Sequence, residues 1–168
     1  MSRMKKPVIA SVQGYATAIG CGLVAASDLA IASEDAHFAA NAIDVGLFCT
    51  GPGKFLDLGL PRKKALEMLY MGKIIDAQEA LRIGLLNDVV PNEKLNEATM
   101  DMADTLARKS PLALQAGKFS FYKAADMPIS NAIEYLKSIG VSISATEDAK
   151  EGMSAFLEKR KPREWKIK

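Results

Sequence analysis

Histidine is almost missing from this sequence of 168 residues, with His37 the only one. Cysteine is nearly as scarce, with Cys21 and Cys49 alone. Two cysteines make no disulfide framework, and both lie in apolar stretches, so they read as buried free thiols of a reducing compartment. Together with one histidine they also fall short of a structural metal site, so no metal is expected. A Cys-His-Asn protease would have to take His37 as its single possible base. His37 reads more simply as a strand-edge residue with a solvent or backbone partner. Aromatic residues are 7% of the chain and net charge is only +2. That balance gives no general pull toward nucleic acid or anionic lipid, and the few aromatics offer little for base stacking. Long apolar runs are lacking too. The longest, residues 19–32, is too short for a membrane span and is broken by Asp28. The opening MSRMKK-PVIASV resembles a signal peptide only weakly, because its apolar run is short and no cleavage site follows; it reads as a strand.

What is present is ordinary globular composition: 49% apolar and 25% charged residues. A chain this long makes one domain and can bury roughly 70% of its unfolded surface. Residues 7–13 (PVIASVQ) predict a buried strand ending at Gly14. The small apolar residues 20–26 predict a tightly packed helix, residues 29–32 a second strand, and residues 37–40 another short one. Residues 43–53, punctuated by Gly and Pro, predict a loop. Its apolar Val45, Leu47 and Phe48 imply that it folds over something or is covered. From there the pattern turns helical. Pro61 predicts a helix start and Gly72 its stop. Asp76 predicts an N-cap for residues 77–83, with Glu79 at the capping-box position and Gly84 as terminator. Residues 88–90 read as extended. Further helices are expected over 93–108 behind an Asn92 cap, 111–124, 130–145 and 146–158, the last with Glu147 and Asp148 in its first turn. Residues 159–168 form a basic tail. Two or three strands are too few for a sheet covered on both faces. Either strands come from a partner chain or part of the fold is missing.

Residues 6–23, KPVIASVQGYATAIGCGL, resemble the central signature of the enoyl-CoA hydratase/isomerase (crotonase) superfamily. Further stretches agree in order: SDLAIA (27–32), AHF (36–38), VGL (45–47), ALEM (65–68), AQEA (77–80), GL (84–85), VVP (89–91) and TEDAKEGMSAFLEKRKP (146–162). Ala16-Thr17-Ala18 with Gly20-Cys21, and Val45-Gly46-Leu47-Phe48-Cys49, look most like the branch of "enoyl-CoA hydratase domain-containing" paralogues. The resemblance implies an α/β fold: the C-terminal part of a ββα spiral followed by a helical trimerisation region. It also implies that the first half of the family domain, with most strands, the adenine pocket and one oxyanion donor, is absent. Residues 1–60 would be a partial spiral core with the oxyanion turn and acyl-pocket loop. Residues 61–168 would serve oligomerisation and contact CoA phosphate.

The family's chemistry stabilises a developing enolate with two backbone N–H donors. By resemblance the surviving donor belongs to Ile19, at a helix N-terminus whose dipole adds to the effect. The alternative is that Ile19 is a core residue at a strand-to-helix turn. Ala18, Gly20 and Phe48 fall on substrate-binding positions. Hydration also needs carboxylates that move protons. The two family positions are held here by Gly22 and Ala42, which cannot. A third position, Asp in some members, is Thr50, able to orient a water but a poor base. Asp44 reads as a surface or capping carboxylate. Cys21 and Cys49 could border the acyl pocket, or be small core residues. Phe156 falls on a position that covers the ligand, and Lys159 on a lysine that reaches CoA phosphate, or else simply complements the end of its helix.

The resemblance thus implies a protein that binds an acyl-CoA thioester as substrate or ligand, needs no other cofactor, and hydrates weakly or not at all. Whether it is an enzyme stays open. The alternative is a non-catalytic subunit or scaffold that modulates a homologous acyl-CoA enzyme. A homo-oligomer, trimer or hexamer, is expected, with no nucleic acid and no membrane. The expected location is cytoplasmic, or the mitochondrial matrix in a eukaryote. RNA binding, known for one relative, finds no Lys-rich helix face here.

Overall fold

The expected strand at the start of the chain forms as β1 (Ile9–Val12). Asp28, which interrupts the longest apolar run, sets its register. The Asp28 Oδ2 accepts from Val8 N–H at 2.7 Å, and the N–H groups of Asp28 and Leu29 donate to Val8 O. This places β3 (Leu29–Ser33) parallel to β1, Ile9 opposite Leu29 and Val12 opposite Ala32. On the other side of β3 lies β6 (Asp88–Val90), also parallel. Asn87 fastens that edge: its Oδ1 accepts from Ala30 N–H, and its own N–H donates to Ala30 O. The first sheet is therefore β1-β3-β6. The structure, a computed structural model, describes residues 1–166. The end of the expected basic tail, residues 167 and 168, lies outside the described residues.

A second sheet has the order β2-β4-β5. In it β2 (Tyr15–Thr17) runs parallel to β4 (His37–Ala39), and β5 (Ile75–Asp76) pairs antiparallel with β4. The expectation of two or three strands is corrected: the described residues form six. The additions, β2 and β5, have three and two residues. Segments that short cannot display a two-residue alternation, so only their pairing defines them.

The helix α1 (Ile19–Ala26) follows β2. The expected loop over 43–53 is partly wrong. A 3-10 turn spans Asn41–Val45, and Thr50–Gly59 is a helix, α2. Pro52 sits in its first turn, where a missing N–H is no loss. Its glycines serve packing. A Cβ on Gly53 would lie 3.2 Å from Leu69 Cδ1. Leu69 belongs to α3 (Arg62–Met71), which ends on the left-handed Gly72. Pro61 lies just outside α3 rather than inside it. Its extended ψ of 129° sets up its carbonyl to accept from Lys64 and Ala65 N–H. Asp76 caps α4 (Ala77–Arg82) as expected, accepting from Glu79 N–H at 2.8 Å. The Glu79 carboxylate instead pairs with Arg82 and Lys64.

The chain divides into two compact units. The first is Val8–Ala103 with Met1. Its core runs through both sheets and α1–α4, with Phe38, Ile31, Leu56 and Cys21 fully buried. The second comprises Ser2–Pro7 and the residues from Asp104 onward. The helix α5 (Leu95–Ala107) starts after a 3-10 turn, Asn92–Lys94. Asn92 therefore lies inside that turn instead of capping a helix at 93. Ser110 caps α6 (Pro111–Ala124), and Thr146 caps α8 (Glu147–Leu157); between them runs α7 (Ile129–Ser144). Within this unit Asp148 is a buried junction. It accepts from Ser110 Oγ and from Lys166 N–H.

Candidate functional site

The site grows from the turn between β2 and α1. Ala18 makes that turn with φ +46°, a region non-glycine residues avoid, at a cost of about 1–3 kcal/mol. Tertiary structure holds it there: Ala18 N–H donates to Ala39 O of β4 at 2.9 Å. The next residue, Ile19, opens α1, so its N–H is one of those a helix leaves without an intrahelical acceptor. Its side chain is 70% exposed, so Ile19 is no core residue.

Beside this terminus lies a cavity of about 580 Å³ between α1 and the start of α2. Ala18, Ile19, Phe48 and Thr50 all line it, so four residues expected from the sequence come together. Gly20 is not among its lining residues. Pro52 and Phe55 were missed because residues 50–59 did not read as a helix, and Leu23 of α1 because it faces the cavity only across from that helix. The apolar Leu47 and Phe48 in a segment punctuated by glycine were the available signal. None of the twelve lining residues is charged. Their polar side chains are Cys49 and Thr50.

Gly22 and Ala42 both line the cavity, and neither carries an acid. At Gly22 the space for one is filled. A Cβ there would lie 2.8 Å from Pro52 Cβ and 2.9 Å from Pro52 Cα, so α2 would have to shift. Asp44 is exposed, and its carboxylate lies against Gly72, where an added Cβ would meet it at 2.8 Å. It is a surface carboxylate. Both cysteines are free and buried. Burial, and then the neighbouring Cys49, push the Cys21 thiol up to about 12, which keeps it protonated. His37 is half-buried, stacks on Tyr15 at 5.0 Å, and has Nδ1 2.8 Å from Asp35 O. A carbonyl only accepts, so Nδ1 carries the proton.

Phe156 and Lys159 belong to the second unit. Phe156 is exposed on α8, and Lys159 follows that helix with φ +52°. The next residue, Arg160, pairs with Glu151 and Glu158. Hydrogen bonds from Arg160, then from Arg163 N–H, bring the Glu151 carboxyl down to about 2. Among the described residues no cluster of three His, Cys, Asp or Glu is placed to hold a metal, and no helix is long and apolar enough to cross a membrane.

An α/β fold of short mixed sheets and long C-terminal helices, with an apolar cavity at the head of α1, is that of a crotonase-like protein. The family model for enoyl-CoA hydratase/isomerase matches residues 1–168, and the chain belongs to that family. It is 47% identical to human "Enoyl-CoA hydratase domain-containing protein 3, mitochondrial" over 93% of this chain and 52% of that protein. The crystal structure of human enoyl Coenzyme A hydratase domain-containing protein 3 superposes with a TM-score of 0.92 at 45% identity, over 97% of this chain and 64% of the other. An enoyl-CoA hydratase of Mycobacterium smegmatis gives a TM-score of 0.94 at 41% identity, over 96% and 63%. The chain spans about half the length of the curated relatives it matches. The expected cytoplasmic location is corrected. The human relative and its counterparts in Mus musculus, Rattus norvegicus, Xenopus laevis and Danio rerio are all named as mitochondrial, which favours a mitochondrial place.

Proposed function

We propose that this chain is a non-catalytic, acyl-CoA-binding member of the enoyl-CoA hydratase/isomerase family that works within an assembly of like subunits. The observation that carries this is the cavity: open and apolar beside the α1 terminus, with no carboxyl group among its lining residues, and with Pro52 packed where an acid at position 22 would stand. In this reading the acyl group enters the cavity against Phe48. The thioester carbonyl meets the Ile19 N–H, positioned by Ala18 and Gly20. Lys159 takes a CoA phosphate, and Phe156 covers the ligand of its own or a neighbouring subunit. The CoA thioester is the ligand and no other cofactor is required.

Binding without turnover follows from the physics of proton transfer. A backbone donor such as the Ile19 N–H polarises a carbonyl and is worth about 3–4 kcal/mol of transition-state stabilisation. Adding water to an alkene also needs a group that takes and returns a proton near neutral pH. Thr50 orients a water at most. We assign residues 1–60 to ligand capture and residues 61–168 to oligomerisation and CoA-phosphate contact. Assembly as a trimer or hexamer, or mixed with a catalytic homologue, is supported by the apolar side chains exposed on α6–α8. Modulating that homologue is then the function.

The test is calorimetric titration of the full chain with crotonyl-CoA, alongside a hydration assay. Saturable binding with no turnover supports the proposal. Turnover lost in Thr50→Ala would replace it with a Thr50-dependent hydratase. No binding leaves only the scaffold role, which co-purification with a full-length homologue checks.

A further inference from the structure

Resting on the acyl-CoA reading above, we propose that the cavity beside α1 selects acyl groups that are uncharged along their whole length and rejects those ending in a carboxylate. The first ground is the lining. Leu23, Leu47, Phe48 and Phe55 supply apolar surface, and Cys49 and Thr50 supply the polar side chains. Among the described residues no Lys, Arg or His lines the space to pair with a second carboxylate. Asp44, two residues from the lining residue Ala42, has its carboxylate against Gly72.

The second ground is the backbone. A helix N-terminus attracts anions only through N–H groups that are still unpaired. At the head of α2 they are largely used or missing. Thr50 N–H donates to Phe48 O at 2.8 Å, Pro52 has none, and Gly53 N–H donates to Cys49 O at 2.7 Å. Gly51 alone is left in that turn. At the head of α1, Ala18 N–H is held by Ala39 O and Gly22 N–H by Ala18 O, Gly20 and Cys21 do not line the cavity, and the Ile19 N–H is the one that the acyl-CoA reading gives to the thioester carbonyl. A terminal carboxylate entering the cavity thus loses its water and gains no cation, so it stays outside. A methylene chain gains contact throughout. The volume, about 580 Å³, lies within the usual range of small-ligand sites.

The experiment titrates the full chain with free CoA and with butyryl-, hexanoyl-, octanoyl- and adipoyl-CoA. Each added methylene should tighten binding about fourfold. Adipoyl-CoA, as long as hexanoyl-CoA but ending in a carboxylate, should bind about tenfold or more weakly than it. Leu47 is an exposed lining residue, so Leu47→Lys leaves the core intact. It should weaken hexanoyl-CoA and strengthen adipoyl-CoA. A flat series equal to free CoA would overturn the proposal while leaving CoA binding in place. Equal affinity for adipoyl- and hexanoyl-CoA would overturn it as well, as would an unchanged preference in Leu47→Lys. No binding of any ligand would overturn it together with the acyl-CoA reading.

Discussion

Between Val8 and Ala103, Phe38, Ile31 and Leu56 are buried from all sides, and the core runs without a break from Val12 to Leu86. Among the described residues from Asp104 onward the only buried apolar residue is Ala155, and the other buried side chains are Ser110, Ser120 and Asp148. There Phe121, Ile129, Val141, Phe156 and Leu157 are each at least 70% exposed. The first unit encloses a large apolar core, although Tyr15, Ile19 and Val45 stay exposed on its surface. The second holds its helices with caps and a buried carboxylate, and offers its apolar side chains outward. A patch of that kind marks an interface. An amphipathic helix thus declares that one face must be covered, without stating by what.

The contrast can be broken most strongly at Phe38. Phe38→Ala should cost about 3–5 kcal/mol, read as a lower urea midpoint, because its site is closed and cannot collapse fully. In the second unit the equivalent weak point is polar. Asp148→Ala removes the acceptor of Ser110 Oγ and Lys166 N–H, and should cost about 1.5–3 kcal/mol. Hydrogen exchange should then quicken at the start of α6 while β3 stays protected. At the α1–α2 contact, Gly22→Ala should cost about 1–3 kcal/mol by overpacking against Pro52. Gly22→Glu should likewise destabilise, with no gain in crotonyl-CoA hydration; a gain would show that Pro52 yields.

Acid should separate the units as well. The Glu151 carboxyl is lowered when folded, so its contribution is complete above its ordinary value near 4.5 and is lost as pH falls toward about 2. Thermal melts through that window should show the second unit loosening, with a shallower slope in Glu151→Gln. The smallest change in stability belongs to the exposed face. Leu157→Asp should alter chain stability by less than about 0.5 kcal/mol. Light scattering should nonetheless show smaller particles; an unchanged oligomer would place the interface elsewhere.

Much of the fold was legible from local chemistry. The helix caps at Asp76, Ser110 and Thr146 bond as their residue types demand, each accepting from an N–H three residues on. The turn at Gly72 is left-handed, as a glycine stop requires. At the site, Ala18, Ile19, Phe48 and Thr50 were named by matching a motif and do share one cavity. What was illegible has a common cause. The Gly51-Pro52-Gly53 run reads as a loop because glycine and proline disfavour helices locally. It is helical because Gly22 and Gly53 let α2 sit close to α1 and α3. Leu23 and Phe55 join the site only once that approach is made.

The residues by themselves determined the family signature, the periodic helices with their caps, and the absence of a carboxylate at positions 22 and 42. Each is a property of side chains or of neighbours within a turn or two. Tertiary structure alone decided that β2 and β5 are strands, that Ala18 keeps a positive φ, and that Pro52 closes the space over Gly22. Those features depend on contacts between residues far apart in the chain, whose closeness no local preference encodes.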